Sequence, residues 1–346
     1  MTSALTDNDN SGGPARIESS QPRVDGVDRR PSNRQRWWIA LVAAVVVVIL
    51  TAVYLTRPPA PLFYSAKSPV NVRIPVNPVL DPNNDQWSSY AAESRFSLST
   101  FRYGMAVVQA DGSEQRFHVQ TDRDADWGSA LGPYTVPLRP EWRATTGSDG
   151  WLCVIDADHS RGYWLWQYSW NDGKPTATWG GTGRYDQNIK DPWADYGSGG
   201  GSGVVPPSLV IMKADLDRGS INHALATADP WTASSWKYPA KSSDGEDEGS
   251  TPIPEGQRIQ LDPSIKVDSE PWSRIEKMVA KALQTYGAYI VDTSDGSMAL
   301  SGQMDQTQKG NDPGKMWTNV GVTREFQDFG NIPTDKLRFL KNWDGK

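Results

Sequence analysis

The longest apolar stretch of the chain lies near its N-terminus. From Trp37 to Leu55 the sequence contains no charged residue. A helix of that length spans roughly 28 Å, which is close to the thickness of the hydrocarbon core of a bilayer. Trp37, Trp38 and Tyr54 stand at its two ends, where aromatic rings favour the headgroup layer. The pattern predicts one transmembrane helix over 37–56, in contact with the lipid bilayer.

Positive charge is concentrated before this apolar segment. Arginines at 29, 30, 34 and 36 precede it, whereas only Arg57 and Lys67 follow it closely. The positive-inside rule then puts the N-terminus in the cytoplasm and the rest of the chain outside. The apolar run is longer than the core of a cleaved signal peptide, and no small-x-small pattern closely follows it. We therefore expect an uncleaved signal anchor and a single-pass protein of the plasma membrane.

Two polar segments flank the predicted anchor. Residues 1–36 contain almost no large apolar side chains, which predicts a disordered cytoplasmic tail. Residues 57–95 are rich in Pro and Asn, and each residue before a proline favours extended backbone. This composition predicts an extended stalk over 57–95. An extracytoplasmic β-rich domain is then expected over 96–346.

Short apolar or alternating segments recur along this domain, each bounded by Gly, Asp, Ser or Pro. The first two flank an Asp111-Gly112 turn, and the next two flank a turn near His159, so each pair predicts a β-hairpin. The close spacing favours a mainly β jelly-roll or concanavalin-like sandwich over alternating β–α units. The predicted strands are 105–109, 115–120, 151–158, 162–170, 208–213, 221–227, 257–262, 288–292 and 297–301.

One amphipathic helix is predicted between Pro271 and Gly287. Ser269 is the expected N-cap, and Gly287 suits the left-handed residue after the last turn. We expect the helix to pack across one face or end of the β domain. The apolar residues that recur on one helical face are Ile275, Met278, Val279, Ala282, Leu283 and Tyr286.

Two segments have the composition of surface loops. Residues 197–203 read GSGGGSG and residues 241–250 read KSSDGEDEGS, without an apolar anchor in either. Both are interpreted as solvated linkers. A loop of this kind beside a binding groove would be able to act as a mobile lip.

Composition narrows the classes of function. The chain has 41 acidic and 35 basic residues and a net charge of −6, which argues against a nucleic-acid partner. Its single cysteine, Cys153, excludes an intrachain disulfide and a Cys-rich zinc site. No cofactor or metal is predicted. The 16 tryptophans, in contrast, are an excess that needs an explanation.

An acidic turn raises the possibility of calcium binding. Asp122, Asp124 and Asp126 alternate as in the start of a calcium-binding loop. However, Trp127 stands where the turn glycine of an EF-hand belongs, and Pro133 stands where its bidentate Glu belongs. A solvated acidic turn is therefore favoured over a calcium site.

Aromatic residues form a row in the predicted strand 162–170. Trp164, Trp166, Tyr168 and Trp170 share one parity there, so a regular strand presents them on one face. Two interpretations stay open: the row is core, or part of it is an exposed platform on which sugar rings stack. Under the second, the candidate substrate-binding residues are Trp164, Trp166, Trp170, Trp179, Asn222 and Arg258.

Candidate catalytic groups are few. Asp156 lies in the predicted strand 151–158, Asp262 ends the predicted strand 257–262, and His223 lies within the strand 221–227 beside Asn222. Glycoside hydrolysis uses a pair of carboxyl groups, so Asp156, Asp262 and His223 are the candidate catalytic residues of a carbohydrate-active enzyme, a glycoside hydrolase or a lyase. A buried histidine in a strand is more often a structural hydrogen-bonding group.

Several segments carry a resemblance to a known group of proteins. SDGWLCVIDAD, RGSINHALA, IPEGQRIQLDPSI and KALQTYGAYIVDTSDGSMAL together resemble a mostly uncharacterised group of secreted or membrane-anchored actinobacterial proteins, over roughly residues 135–302. The resemblance implies an extracytoplasmic β-rich domain and no particular activity. Members of the group often have His after Ser-Asp-Gly, where this chain has Trp151.

These patterns lead to one functional expectation and one alternative. The tryptophans and paired acids favour a membrane-anchored protein that binds or processes a cell-envelope or environmental polysaccharide. The alternative is a non-catalytic envelope scaffold or protein-interaction domain.

Overall fold

The computed structural model describes residues 37–38, 41–46, 63–122, 131–185, 200–204 and 206–341. The chain divides into a unit that ends at Pro59 and a larger unit that begins at Ala60. In the described part of the chain, no helix combines the length and the apolar character needed to cross a bilayer. Residues 37–38 and 41–46 are helical, while the rest of the predicted anchor and the predicted tail lie outside the described residues.

The described residues of the larger unit are mainly β, as the sequence predicts. Short 3₁₀ helices occupy Pro206–Leu209, Val267–Ser269 and Thr334–Lys336. The α-helices are α1 (Asn84–Ala92), α2 (Lys213–Arg218), α3 (Arg274–Thr285) and α4 (Lys315–Thr318). The strands are β1 (Phe96–Ser99), β2 (Ala106–Gln109), β3 (Gln115–Phe117), β4 (Gln120–Thr121), β5 (Val136–Leu138), β6 (Leu152–Ile155), β7 (Arg161–Trp166), β8 (Ser169–Asn171), β9 (Lys174–Ala177), β10 (Trp179–Arg184), β11 (Leu225–Asp229), β12 (Thr232–Trp236), β13 (Ile253–Glu255), β14 (Arg258–Leu261), β15 (Ala288–Thr293), β16 (Met298–Ser301), β17 (Gln327–Asp328) and β18 (Leu337–Phe339).

Two mixed sheets organise the unit. Sheet A has seven strands in the order β17-β1-β16-β11-β15-β14-β18, and sheet B has four in the order β10-β7-β6-β2. The pairs β1–β16, β11–β15 and β2–β6 are parallel. Jelly rolls and concanavalin-like sandwiches are antiparallel, so that finer expectation is wrong. A short apolar strand has the same sequence pattern with a parallel or an antiparallel neighbour, which explains the error.

The apolar side chains form three layers around these sheets. One cluster lies between sheet A and α3, and includes Leu225, Ile290 and Leu283. A second cluster joins sheet A to sheet B, and includes Tyr289 of sheet A and Trp164 of sheet B. A third covers the other face of sheet B. The two sheets are therefore packed face to face through the second cluster.

Helix α3 confirms the amphipathic pattern but begins later than expected. All the apolar residues of its predicted face are buried. Ser273, rather than Ser269, is the N-cap: its hydroxyl accepts from the Glu276 N–H, and the Glu276 carboxylate accepts from the Ser273 N–H at 2.9 Å. Gly287 adopts φ 74° after the last turn, as predicted.

The stalk predicted over 57–95 is wrong from residue 63 onward. Phe63, Tyr64 and Val70 are buried in the cluster between the two sheets. Trp87 of α1 is buried against Phe339 with a ring-centroid distance of 5.6 Å. Prolines fix extended backbone, but they do not stop the aromatic side chains between them from being buried.

The two predicted hairpins have different outcomes. Strands β6 and β7 pair antiparallel, so the second is confirmed. The first is wrong, because β2 pairs with β6 and β3 pairs with β5. The predicted strand 208–213 is replaced by a 3₁₀ turn, an isolated bridge at Ile211 and the start of α2. The four later strand predictions correspond to β11, β14, β15 and β16.

Candidate functional site: an acidic cleft between the sheets

A cleft of about 520 Å³ is lined by sheet A on one side and by the segments that precede β2 and β6 on the other. Sheet A lines it with small side chains and Asp292, and the segment before β6 lines it with Asp149 and Trp151. Residues 200–202 of the glycine-rich loop also line it. That loop therefore lies beside a groove, in the position that a lip would occupy.

An irregularity in β15 directs Asp292 into the cleft. The register between β11 and β15 passes from Thr227↔Ile290 to Ala228↔Asp292, so Val291 is an extra residue. In a regular strand Val291 and Asp292 point to opposite faces, whereas here both line the cleft. Bulges of this kind redirect side chains and are frequent beside active sites.

Asp149 is held on the opposite wall. Its carboxylate accepts hydrogen bonds from the side chains of Ser148 and Trp166. Burial and the negative charge of Asp244 raise the pKa of Asp149, while its two hydrogen bonds oppose that rise. Trp166 does not line the cleft itself, but its hydrogen bond holds the Asp149 carboxylate in position.

The charged loop 241–250 supplies a third carboxylate. Its backbone is tied to the glycine-rich loop, because Lys241 N–H donates to Ser202 O at 2.8 Å and Ser242 Oγ donates to Gly201 O at 2.6 Å. A Cβ on residue 201 would stand 2.1 Å from the Asp244 carboxylate, so only glycine permits this approach. The loop predicted as a solvated linker thus carries Asp244 to the site.

Glu255 of β13 is the most deeply buried acid of the group. Its side chain is fully buried, and side-chain hydrogen bonds join it to Ser243 and Asp244. Burial, together with the neighbouring carboxylates of Asp244 and Asp292, raises the pKa of Glu255 to about 10. Glu255 is therefore protonated at neutral pH and shares its proton with Asp244.

Asp292 is open to the cleft and is also protonated more readily than an ordinary aspartate. Burial raises its pKa well above the usual range, and the charges of Asp244 and Asp149 raise it further. Four carboxyl groups, from Asp149, Asp244, Glu255 and Asp292, thus interact at one place. Like charges at close range cannot all ionise, so protons are retained among them.

Aromatic side chains form the mouth of the cleft. Tyr103 and Phe326 are both partly exposed, and their rings stack with a centroid distance of 6.0 Å. Trp151 lines the same cleft and is half-buried. Glu325 fixes the Tyr103 side of the mouth, since its carboxylate accepts from the backbone N–H groups of residues 100–103 at 2.8–3.2 Å.

The three candidate catalytic residues have separate partners. Asp156 accepts from Arg116 Nη1 at 2.9 Å and from the Tyr163 hydroxyl at 3.1 Å. Asp262 accepts from the Ser264 N–H at 2.8 Å, a turn bond that lowers its pKa. No contact joins Asp156, Asp262 and His223 to one another among the described residues, and none of the three lines the cleft.

His223 belongs to a buried ion pair. Its Nε2 lies 3.1 Å from Asp215 Oδ2 and its Nδ1 lies 2.7 Å from Ala224 O. A carboxylate and a carbonyl oxygen are both hydrogen-bond acceptors, so this pair of neighbours favours the protonated imidazole. Although burial alone would lower it, the Asp215 carboxylate raises the pKa of His223.

The aromatic row is divided by a kink. Gln167 adopts φ 52°, which ends β7 and interrupts the alternation. Trp164 and Trp166 pack in the cluster between the sheets, whereas Tyr168 and Trp170 pack in the outer cluster of sheet B. The single aromatic face expected for a regular strand therefore does not form.

The tryptophans of the row and Trp179 also differ in burial. Trp164 is fully buried and Trp179 is 3% exposed, so both belong to the core. Trp170 is half-buried, packs edge-on against Phe117 and lines a shallow pocket beside Arg139. Trp166 is half-buried, and its side chain donates a hydrogen bond to Asp149 of the cleft.

Asn222 and Arg258, the two polar candidates for substrate binding, do not line the cleft. Asn222 is half-buried in the loop before β11. Arg258 is 8% exposed, and its guanidinium donates to Tyr286 O at 2.6 Å and to Val72 O at 2.7 Å. Arg258 therefore fastens the end of α3 to the N-terminal segment.

Metal binding has limited support among the described residues. No group of three or more His, Cys, Asp or Glu side chains there is arranged to hold a metal ion. Asp122 ends a described stretch, while Asp124 and Asp126 of the acidic turn lie outside it.

Sequence reasoning missed the four carboxyl groups of the cleft. Asp292 follows an apolar run and Asp149 precedes one, which is the one signal that the sequence offered for them. Asp244 and Glu255 are distinguished from the chain's other acids only by their tertiary surroundings. No family model, curated protein or solved structure matches this chain.

Proposed function

We propose that this protein is held in the plasma membrane by the helix over 37–56 and binds and processes a cell-envelope or environmental polysaccharide outside the cell. We place the processing site in the acidic cleft, rather than at Asp156, Asp262 and His223. The observation that carries the proposal is the convergence of Asp149 and Asp292 on one cleft with an aromatic mouth.

The cleft offers the two kinds of contact that a sugar chain needs. Tyr103, Phe326 and Trp151 provide flat faces against which pyranose C–H groups pack. Carboxylates and the hydroxyls of Ser148, Ser297 and Ser301 provide hydrogen-bond partners for sugar hydroxyls. Binding sites commonly combine apolar walls with a few convergent polar groups.

Asp292 and Asp149 have complementary properties for glycoside hydrolysis. Burial and two neighbouring acids favour the protonated form of Asp292, which suits a general acid. Burial also raises the pKa of Asp149, but the Trp166 and Ser148 hydrogen bonds favour its ionised form and limit that rise, so we assign Asp149 the role of base. Asp292 donates its proton to the glycosidic oxygen as the C–O bond breaks. Asp149 accepts a proton from the water that forms the new C–O bond.

Hydrolysis is favoured over elimination by the charge of the cleft. Polysaccharide lyases act beside a uronic carboxylate, whose charge a cation must neutralise. The described residues that line the cleft include no Lys, Arg or His. A glycoside hydrolase is therefore the better reading of this site.

The test is cleavage of purified envelope polysaccharides by the full-length chain in detergent. Asp292→Asn removes the proton donor and keeps the side-chain shape, so we expect activity to fall by at least about 100-fold. Trp151→Ala is expected to weaken binding. Asp172→Asn is the matched control, because Asp172 is exposed in the turn between β8 and β9 and does not line the cleft.

The outcomes separate the candidate functions. Cleavage that Asp292→Asn abolishes while binding persists supports the hydrolase. If the unmodified chain binds a polysaccharide without cleaving it, the protein recognises the polysaccharide and is not a hydrolase. A chain that binds none of the polysaccharides, or whose activity survives both Asp292→Asn and Asp149→Asn, overturns the proposal in favour of a scaffold.

A further inference from the structure

The Glu325 carboxylate lies in a nest of hydrogen-bond donors at the mouth of the cleft. It accepts from the backbone N–H groups of residues 100–103 at 2.8–3.2 Å and from the hydroxyls of Ser99 and Thr100. Successive N–H groups that converge in this way form an anion-binding concavity. Hydrogen bonds to an ionised group are stronger than those between neutral groups. The nest, defined as residues 99–103, is therefore occupied by an anion of the chain itself.

A four-residue segment, 323–326, carries Glu325 and Phe326, and we call it the strap. It ends where β17 begins. Its first two residues are exposed, so apolar packing does not hold them. Phe326 is itself 43% exposed, yet it lines the cleft and stacks on Tyr103. The hydrogen bonds of Glu325 therefore supply a directional attachment of the strap to the mouth of the cleft.

The backbone at Phe326 has an unfavourable conformation. Its φ of 51° lies in the left-handed region, which residues other than glycine rarely adopt. Such conformations persist where the surrounding structure imposes them, and they cluster at ligand clamps and active sites. Glu325 supplies the constraint here, because its carboxylate is held by the donors of the nest. Without that attachment, Phe326 should relax and move away from Tyr103.

The backbone of the nest is also fixed by bonds that do not involve Glu325. Ser99 O accepts from the Gly302 N–H at 2.8 Å, and Phe101 O accepts from the Thr146 N–H at 2.8 Å. These bonds tie the nest to the end of sheet A and to the segment before β6. The donors of the nest should therefore stay in place, and be able to bind another anion, when Glu325 is replaced.

We propose that Glu325 is a positioning residue of the cleft: it latches the strap to the nest, so that Phe326 and Tyr103 form a preassembled aromatic wall for the sugar chain. The proposal rests on the function proposed above and assigns part of the substrate affinity to a residue that acts through its neighbours. Preassembled side chains lose less conformational freedom when a ligand binds. The latch acts on the mouth rather than on the reacting carboxyl groups, so its loss should weaken binding and spare the chemical step.

Hydrogen–deuterium exchange of the full-length chain in detergent tests the latch without a ligand. In Glu325→Ala the amides of residues 100–103 should exchange about 10- to 100-fold faster, the effect of losing hydrogen bonds to a charged group. Unchanged exchange in α3 shows that the variant is folded. Glu325→Gln keeps the side-chain shape and is a second, less disruptive variant with the same expected direction. Glu93→Gln is the matched control, because Glu93 is exposed after α1 and does not line the cleft.

Steady-state cleavage of a polysaccharide that the unmodified chain hydrolyses measures the effect on the site. Glu325→Ala should raise KM about 5- to 10-fold, the contribution of one aromatic contact. Its kcat should stay within about 2-fold, as expected when binding alone is weakened. Glu325→Asp keeps the charge on a shorter side chain and should raise KM less. Glu93→Gln should change neither constant.

Acetate separates the latch from an anion that merely fills the nest. Glu325→Ala removes the atoms that acetate supplies, so added acetate should occupy the nest and restore slow exchange of residues 100–103. Acetate is not bonded to the chain and cannot hold the strap. We therefore expect KM of Glu325→Ala to stay high in acetate.

The contrary results are distinct from one another. Unchanged exchange of residues 100–103 in Glu325→Ala shows that there is no latch. A KM that does not rise, a loss confined to kcat, or a KM that acetate restores refutes the positioning role and leaves the proposed glycan function intact. A chain that cleaves none of the polysaccharides refutes the proposed function and, with it, the role of Glu325 in substrate affinity.

Discussion

Individual side chains of this protein hold protons at positions where burial opposes charge. Glu255 is fully buried beside the carboxylates of Asp244 and Asp292, and its pKa is raised to about 10. In the unfolded chain the same group ionises near its ordinary value of 4.5. His223 is the opposite case, because the Asp215 carboxylate stabilises its charged form inside the protein. Each of these residues makes stability fall as pH rises, because the pKa of each is higher in the folded chain than its ordinary value.

Replacing Glu255 tests the first case. Between pH 4.5 and about 10 the unfolded chain loses the Glu255 proton while the folded chain keeps it, so this residue lowers stability as pH rises. Glu255→Gln cannot ionise and should unfold less readily at neutral pH, by about 1–3 kcal/mol. Denaturant melts at several pH values provide the measurement. Glu248→Gln, at an exposed position in the 241–250 loop, should change neither the free energy of unfolding nor its dependence on pH.

Replacing His223 tests whether its pairing with Asp215 contributes to stability in a pH-dependent way. Its folded pKa is raised above the ordinary 6.5, so its stabilisation is complete below pH 6.5 and is lost as pH rises through the folded value. His223→Gln should lower stability by about 1–3 kcal/mol in mild acid and lose this pH dependence. The exposed His118→Gln is the control. An unchanged slope in His223→Gln would show that the Asp215 pair does not set it.

At the scale of elements, the local sequence pattern predicts that a helix forms, whereas the surrounding structure determines where the helix begins. Helix α3 follows from its apolar spacing, because that spacing is a property of one continuous segment. Its start does not, since Ser269 and Ser273 are both acceptable caps by sequence. The intervening Pro271 and the 3₁₀ turn at Val267–Ser269 place the helix start at Ser273.

A pair of serine substitutions tests this helix start. Ser273→Ala removes the hydroxyl that accepts from the Glu276 N–H and should lower the free energy of unfolding by about 1 kcal/mol. Ser269→Ala should have no effect beyond about 0.5 kcal/mol. Thermal melts of both variants provide the comparison. An effect of Ser269→Ala equal to that of Ser273→Ala would contradict the cap.

At the scale of the whole molecule, the packing of sheet A against the segments that lead into β2 and β6 forms the cleft. Residues from β15, the loop before β6, the glycine-rich loop and the charged loop meet there although they are far apart in sequence. The predicted membrane anchor concerns the whole chain as well, because an anchor over 37–56 would place the cleft outside the cell. The proposed activity of the cleft and the predicted membrane anchor do not depend on each other, and each has its own test.

Fractionation of cells tests the anchor. An uncleaved helix over 37–56 should keep the protein in the membrane fraction at its full mass of 38.2 kDa. Protease added to intact spheroplasts should degrade the domain beyond residue 63 and spare a tag at the N-terminus. A soluble product that starts near Ala60 would indicate a cleaved signal peptide instead.

The sequence by itself determined the helix α3, most strands of sheet A and the β-rich class, because each depends on spacing within one segment. It did not determine strand partners, which is why β2 was assigned to the wrong neighbour. Nor did it identify Asp149, Asp244, Glu255 and Asp292 among 41 acidic residues. Only tertiary structure brings those four together, and desolvation together with the neighbouring negative charges raises the pKa values of Asp149, Glu255 and Asp292. The chemistry of the cleft depends on groups that come close together only in the folded chain, and a sequence pattern does not record the proximity of distant segments.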